Sequence, residues 1–103
     1  MKYNKLVRDR IPEIIAESGK EVTFRILNDD EYKIELEKKL VEEVAEFRES
    51  KSVEEIADIY QVILHLCCAY GISIDDMSRA VGEKAAKRGC FYRRIFLEEV
   101  EDD

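Results

Sequence analysis

Apolar residues recur along the chain at spacings that predict four helices. The longest amphipathic stretch covers residues 31–49, where apolar side chains return every three or four positions. That is the period of a helix with one buried face. A second long helix follows a three-residue connection and extends to Tyr70, where Gly71 closes it. Shorter helical patterns occupy residues 11–18 and 73–88.

Two further segments alternate between apolar and polar residues, as strands do. In residues 22–27, Val22, Phe24 and Ile26 share one face, and residues 92–97 form the second segment. A lone strand cannot satisfy its backbone hydrogen bonds, so the two are expected to pair. The predicted fold class is therefore mainly α, a helical bundle with a small two-stranded β element. The 103 residues, without a linker or a repeat, predict a single domain over 1–103.

The second long helix is the most apolar part of the chain. In residues 56–70, 12 of 15 positions are apolar, and the exceptions Asp58, Gln61 and His65 share one stripe. A helix that is apolar nearly all round is buried on most sides. A chain this short has little of its own to cover such a helix, so the pattern predicts a homodimer or a larger homo-oligomer.

The charge of the chain is concentrated in one window. The formal net charge is −7, and residues 29–58 carry all of that excess, with 12 acids and 5 bases. An acidic protein is a poor non-specific ligand for nucleic acid or an anionic membrane, so neither is expected as a partner. We see no signal peptide and no apolar run of membrane-spanning length. Three cysteines do not suggest a disulfide framework, and a cytoplasmic location is expected.

Within the acidic window, carboxylates form two helical patterns. Glu43 and Glu46 lie three positions apart in a Glu-Glu-x-x-Glu pattern that begins at Glu42, and Glu55 and Asp58 form a Glu-x-x-Asp pattern. The short turn between the helices makes them antiparallel neighbours. Residues whose numbers have a constant sum then face each other. This relation pairs Glu46 with Glu55, and it also pairs Glu43 with Asp58.

Four carboxylates at one helix interface repel one another and require compensation. Hard divalent cations suit such all-oxygen sites, and Mg²⁺ typically combines a few carboxylates with water and substrate phosphates. The pattern therefore indicates a Mg²⁺ site, with Mn²⁺ as an alternative. Two other interpretations remain open: the acids form a solvated helix face, or Glu55 serves only in a capping box with Ser52.

The two acidic patterns on consecutive helices resemble those of the all-α nucleoside triphosphate pyrophosphohydrolases. That superfamily includes MazG, the dimeric dUTPases and phosphoribosyl-ATP pyrophosphohydrolase. The opening segment 3–13 and the closing segment 88–99 look like a small single-domain branch of predicted house-cleaning enzymes. The resemblance implies metal-dependent hydrolysis of an α–β phosphoanhydride, which gives a nucleoside monophosphate and pyrophosphate.

The resemblance also implies roles for individual carboxylates. It makes Glu43, Glu46, Glu55 and Asp58 the metal ligands and places Glu42 near a metal-bound water. Glu43 or Glu46 would orient or deprotonate the attacking water.

A triphosphate also needs cationic partners, because divalent cations alone cannot hold it. Basic residues flank the acidic window on both sides. Gln61 and His65 continue the stripe of Asp58 and are candidates for contacts with sugar or base; the alternative is a polar stripe that faces solvent or a neighbouring helix. The candidate phosphate-binding residues are Lys5, Arg8, Arg10, Lys84, Lys87 and Arg88.

Two other functions remain open at this level. One is a metal-dependent phosphohydrolase that acts on another phosphorylated metabolite, such as a phosphoribosyl-nucleotide. The other is a non-catalytic helical interaction module, in which the acids form a solvated face or a docking patch. Cleavage between the α and β phosphates separates the first alternative from the pyrophosphohydrolase, and metal binding separates the second.

Overall fold

The computed structural model describes residues 1–102, and its regular structure is entirely helical. The mainly-α prediction is thus confirmed. Two compact units are present, Met1–Ile72 and a unit that begins at Ser73. The prediction of a single domain stays a prediction. The helices are α1 (Ile11–Glu17), α2 (Asp29–Ser50), α3 (Val53–Ala69) and α4 (Ile74–Arg88).

Side-chain caps fix where the long helices of the first unit begin. The Asn28 side chain accepts a hydrogen bond from the Glu31 backbone N–H at 2.9 Å, and the Glu31 carboxylate accepts from the Asn28 N–H at 3.2 Å. This reciprocal pair satisfies two backbone donors at the start of α2. At the other end, Lys51 takes a left-handed conformation with φ +54°, and its N–H bonds Phe47 at 2.8 Å. The chain can therefore reverse and start α3 within two residues.

Helices α2 and α3 pack against each other as the antiparallel pair that the sequence predicts. Near the open end, the Tyr70 hydroxyl donates to the Glu37 carboxylate at 3.4 Å, and Lys33 lies over the Tyr70 ring. Leu36 and Val62 are buried apolar residues of this first unit, and Leu36 is only 3% exposed. The hairpin thus has a narrow apolar core, and it fixes the register in which the acidic residues meet.

The predicted two-stranded element is wrong: neither 22–27 nor 92–97 forms a strand in the described residues. A strand exists only with a paired neighbour that accepts and donates along the ladder. Phe24 and Ile26 are 64% and 85% exposed, so the alternating face of the first segment is not buried. Side chains of the second segment, such as Phe96, are also largely exposed. Alternation alone did not supply the pairing that a sheet needs.

Helix α3 keeps much of its apolar surface exposed in the single chain. Ile56 is 48% exposed and Tyr60 is 56% exposed, while Val41 and Val44 add exposed apolar surface on α2. Burial on most sides is therefore not achieved within one chain, and coverage by a second copy stays a prediction. No single helix of the described residues is both long enough and apolar enough to cross a membrane.

The unit that begins at Ser73 is built on α4. Ser73 accepts a hydrogen bond from the Asp76 backbone N–H at 3.0 Å, as its sequence predicts for a helix start. The helix ends where Gly89, at φ +80°, donates its N–H to Ala85 at 2.9 Å. A positive φ of this kind favours glycine, which has no Cβ to clash with the backbone.

Candidate metal centre

Acidic side chains of α2 and α3 converge at the closed end of the hairpin. Glu43, Glu55 and Asp58 each offer a carboxylate oxygen, and these oxygens lie within 4.8 Å of one another. Glu42, Glu43 and Glu46 form a second group that meets the same distance limit. Glu43 belongs to both groups. The structure therefore brings together the carboxylates that the sequence pattern singles out, with Glu43 at their centre.

Glu43 is the most enclosed member of the cluster. Its side chain is only 6% exposed, and its Oε1 lies 3.2 Å from Lys39 Nζ. The other oxygen, Oε2, is buried and has no hydrogen-bond partner among residues 1–102, and the same is true of Oε2 of Glu55. A buried carboxylate oxygen without a partner loses its hydration and gains nothing in return. A bound cation is the kind of group that would satisfy both oxygens.

The Glu55 carboxylate is not used to cap α3. Ser52 accepts a hydrogen bond from the Glu55 backbone N–H at 3.3 Å, which is the first half of a capping box. The second half is replaced, because the Ser52 N–H donates to Ser50 Oγ at 3.2 Å. This leaves the Glu55 side chain free to face Glu43, and the interpretation of Glu55 as only a capping-box residue does not hold.

The pKa values separate compensated carboxylates from uncompensated ones. Loss of hydration, the adjacent Glu43 carboxylate and the charge of Glu46 raise the pKa of Glu55 to about 7. The adjacent Glu43 carboxylate, with partial loss of hydration, raises the pKa of Glu46. In contrast, the hydrogen bond from Lys5 lowers the pKa of Glu42. Glu46 and Glu55 therefore keep a proton more readily than a free carboxylate does, because neighbouring acids and the loss of hydration disfavour their charged forms.

Two predicted phosphate ligands reach this cluster from the segment that precedes α1. Lys5 Nζ lies 2.9 Å from a Glu42 oxygen, and Arg8 Nη2 lies 2.6 Å from Asp58 Oδ1. Both cationic side chains are about half exposed. They form ion pairs at the rim of the cluster while part of each side chain still faces solvent.

Sequence reasoning missed a third cation, Lys39. Its side chain is 17% exposed, and its Nζ lies 3.2 Å from Glu43 and 3.5 Å from Glu42. The signal is the spacing of three and four residues to the two acids, but such pairs are common on solvated helix faces. With Lys39 included, three cations face five carboxylates. When every carboxylate is ionised, the cluster has a formal excess of two negative charges, and a proton on Glu55 reduces that excess to one.

The remaining candidates lie elsewhere or pair with each other. Arg10 bonds the Glu13 carboxylate on α1 at 3.2 Å. Gln61 Nε2 and His65 Nε2 lie 3.2 Å apart, one helical turn from each other on α3. Their contact with a ligand stays a prediction. The same holds for three residues in the last turns of α4, within the second unit: Lys84, Lys87 and Arg88.

Comparison with known proteins adds a partial relative. A protein of Mycolicibacterium smegmatis named "Uncharacterized protein" is 59% identical over 44 residues, which is 43% of this chain and 45% of that protein. The chain thus matches less than half the length of that relative. No protein-family model matches the sequence, and no solved structure matches it.

Proposed function

We propose that this protein is a divalent-cation-dependent nucleoside triphosphate pyrophosphohydrolase. It hydrolyses standard or chemically modified nucleoside triphosphates to the monophosphate and pyrophosphate, with Mg²⁺ as the cofactor and Mn²⁺ as a substitute. The observation that carries the proposal is the Glu43 carboxylate, which is buried among other acids with one oxygen unpartnered. The resemblance of the two acidic patterns to those of the all-α pyrophosphohydrolases supports the same reaction.

The donor set fits Mg²⁺ or Mn²⁺, since both prefer carboxylate oxygens. Glu43, Glu46, Glu55 and Asp58 would hold the cation, which supplies charge neutralisation at the phosphates and a more acidic water. Glu46 is exposed and carries a raised pKa. Because solvent water can reach it, Glu46 would accept the water proton in addition to contacting the cation, whereas the buried Glu43 would serve only as a ligand. Glu42, held by Lys5, lies beside them as an orienting group.

Phosphate binding is assigned to the cations at the rim. Lys5 and Arg8 are half exposed and already lie against the carboxylates. An arginine side chain can bind phosphate oxygens with two parallel hydrogen bonds, whereas lysine acts as a point charge. Lys39, which is less exposed and contacts Glu42 and Glu43, would contribute positive charge near the reacting group. Gln61 and His65 extend from Asp58 along α3 and are assigned to sugar or base contacts.

The setting of the enzyme is part of the same proposal. The exposed apolar faces of α2 and α3 support a homodimer or a higher homo-oligomer, because large apolar patches on a soluble chain mark interaction sites. The acidic surface argues against nucleic acid as a partner. Cys67, Cys68 and Cys90 are free thiols, which suits a reducing cytoplasm.

A pyrophosphate-release assay tests the proposal. Initial rates are measured over a panel of standard and modified nucleoside triphosphates, with Mg²⁺ and with EDTA. Glu43→Gln and Asp58→Asn should each lower kcat by at least about a hundredfold, because they remove a ligand of the cation. Glu49→Gln, an exposed acid of the same helix, is the matched control and should keep the wild-type rate.

The outcomes separate the proposed reaction from the alternatives. Release of inorganic phosphate instead of pyrophosphate would indicate a phosphohydrolase of another class. Turnover that persists in EDTA would contradict the role of the carboxylates. No turnover, together with no binding of Mn²⁺ in calorimetry, would favour the non-catalytic interaction module.

A further inference from the structure

One guanidinium competes for a carboxylate of the candidate metal centre. Arg8 Nη2 lies 2.6 Å from Asp58 Oδ1. The Asp58 carboxylate also supplies one of the three oxygens that lie within 4.8 Å of one another with Glu43 and Glu55. A carboxylate oxygen that accepts a hydrogen bond from a guanidinium is a weaker ligand for a cation. The Asp58 carboxylate can therefore bind either of two positive groups, the Arg8 guanidinium or a cation in the centre.

The surroundings of Arg8 allow it to leave. The side chain is 57% exposed and that of Asp58 is 33% exposed, and ion pairs with this much solvent contact contribute little stability. Arg8 lies in the segment before α1, which forms neither helix nor strand. Asn4 in the same segment has a positive φ of +45°, a conformation that Asn tolerates in turns. Exchange of partners by Arg8 thus requires no helix to unwind.

The charge of the cluster shows when exchange is needed. When all five carboxylates are ionised, Lys5, Arg8 and Lys39 leave a formal excess of two negative charges, which one divalent cation balances. The unpartnered oxygens of Glu43 and Glu55 can receive that cation while Arg8 stays on Asp58. A bound triphosphate brings further negative charge and offers Arg8 a bidentate partner. Asp58 is then released.

We propose that Arg8 is a displaceable counter-ion that keeps Asp58 out of the cation site until substrate phosphates take the guanidinium. Arg8 thereby links substrate binding to completion of the ligand set, and it is a positioning residue as well as a phosphate ligand. This inference rests on the proposed function, because it requires that the carboxylates bind a divalent cation.

Calorimetric titration with Mn²⁺ in the absence of nucleotide tests the link. Arg8→Ala should bind Mn²⁺ about two- to fivefold more tightly than the wild type, the upper part of the range expected when an exposed ion pair no longer competes. Arg8→Lys keeps the charge and should stay within about twofold of the wild type. Arg25→Ala is the matched control, because Arg25 forms a similar 2.7 Å ion pair with Glu31 outside the cluster and its loss should leave the affinity unchanged.

A double-mutant cycle separates local competition from the general field of a positive charge. In the Asp58→Asn background, Arg8→Ala should no longer tighten Mn²⁺ binding. An equal gain in both backgrounds, or no gain in either, overturns the inference while the metal centre stands. Failure of the wild type and of Arg8→Ala to bind Mn²⁺ at all would refute the proposed function instead, and this inference with it.

Discussion

Replacement of Glu43 by glutamine is expected to stabilise the metal-free protein and to abolish its stabilisation by metal. The substitution keeps the size of the side chain and removes one negative charge from the centre of the cluster. The new amide can also donate a hydrogen bond to a neighbouring carboxylate, where the present Oε2 has no partner. Both changes favour the folded state when no cation is bound.

The geometry sets the size of this effect. At 4.8 Å, the upper limit of the separations between these oxygens, an effective dielectric constant of about 20 gives a repulsion of about 3.5 kcal/mol for each pair of ionised carboxylates. At the same dielectric constant, the ion pair with Lys39 at 3.2 Å contributes an attraction of about 5 kcal/mol. At pH 8, where Glu55 is ionised, repulsion from Glu55 and Asp58 outweighs that attraction. A net gain of about 1–2 kcal/mol for Glu43→Gln follows, equivalent to about 5–15 °C in Tm for a chain of this size.

Thermal unfolding followed by circular dichroism measures both parts of the prediction. In EDTA, Glu43→Gln should melt above the wild type. On addition of Mg²⁺ or Mn²⁺, the wild type should gain stability through ligand binding to the folded state, and the variant should not. Glu49→Gln should follow the wild type in both conditions. If Glu43→Gln melts well below the wild type in EDTA, the Glu43 carboxylate stabilises the metal-free fold. That result would contradict the inference that Glu43 is repelled by its neighbours and compensated by a cation.

Three further predictions concern the same hairpin. The pKa of Glu55 is raised from 4.5 to about 7 in the folded protein, so between these pH values the folded state binds one more proton than the unfolded state. The stability of the metal-free protein should therefore fall as pH rises through this window. Thermal unfolding in EDTA from pH 5 to pH 8 measures the decline, and a flat profile in the wild type would contradict it. Truncation of Leu36, which is only 3% exposed, to alanine should lower the free energy of unfolding by about 2–5 kcal/mol, as measured by urea unfolding. A loss below about 1 kcal/mol would mean that α2 and α3 do not form the core. Light scattering should give a dimer or a larger assembly for the wild type and a monomer for Ile56→Arg, because a charge on the exposed apolar face of α3 opposes burial of that face. A monomeric wild type would contradict the predicted assembly.

The helices could be predicted because their signals are local. Asn28, Ser52 and Ser73 each accept a hydrogen bond from the backbone three residues ahead, and such caps can be recognised in the sequence itself. The strands could not be predicted in this way. Residues 22–27 alternate correctly, but a strand depends on a partner that no local pattern specifies.

In the candidate site too, local patterns predicted some residues, whereas contacts between distant segments could not be predicted. The carboxylates could be placed because a short turn fixes the register of α2 against α3, and helical spacing does the rest. Lys39 was missed because its spacing to Glu43 is that of an ordinary surface pair, and its burial arises only when the helices pack. The contact of Arg8 with Asp58 joins an irregular segment to a helix 50 positions away, and periodicity carries no information about such a contact.

The products of the reaction show directly whether the protein is a nucleoside triphosphate pyrophosphohydrolase. Phosphorus nuclear magnetic resonance of a Mg²⁺-containing reaction with the best nucleoside triphosphate of the panel identifies each product without a coupled enzyme. The wild type should form one nucleoside monophosphate and one pyrophosphate per turnover, and Glu43→Gln should form neither product under the same conditions. Formation of a nucleoside diphosphate and inorganic phosphate, or equal turnover by Glu43→Gln, would contradict the proposed function.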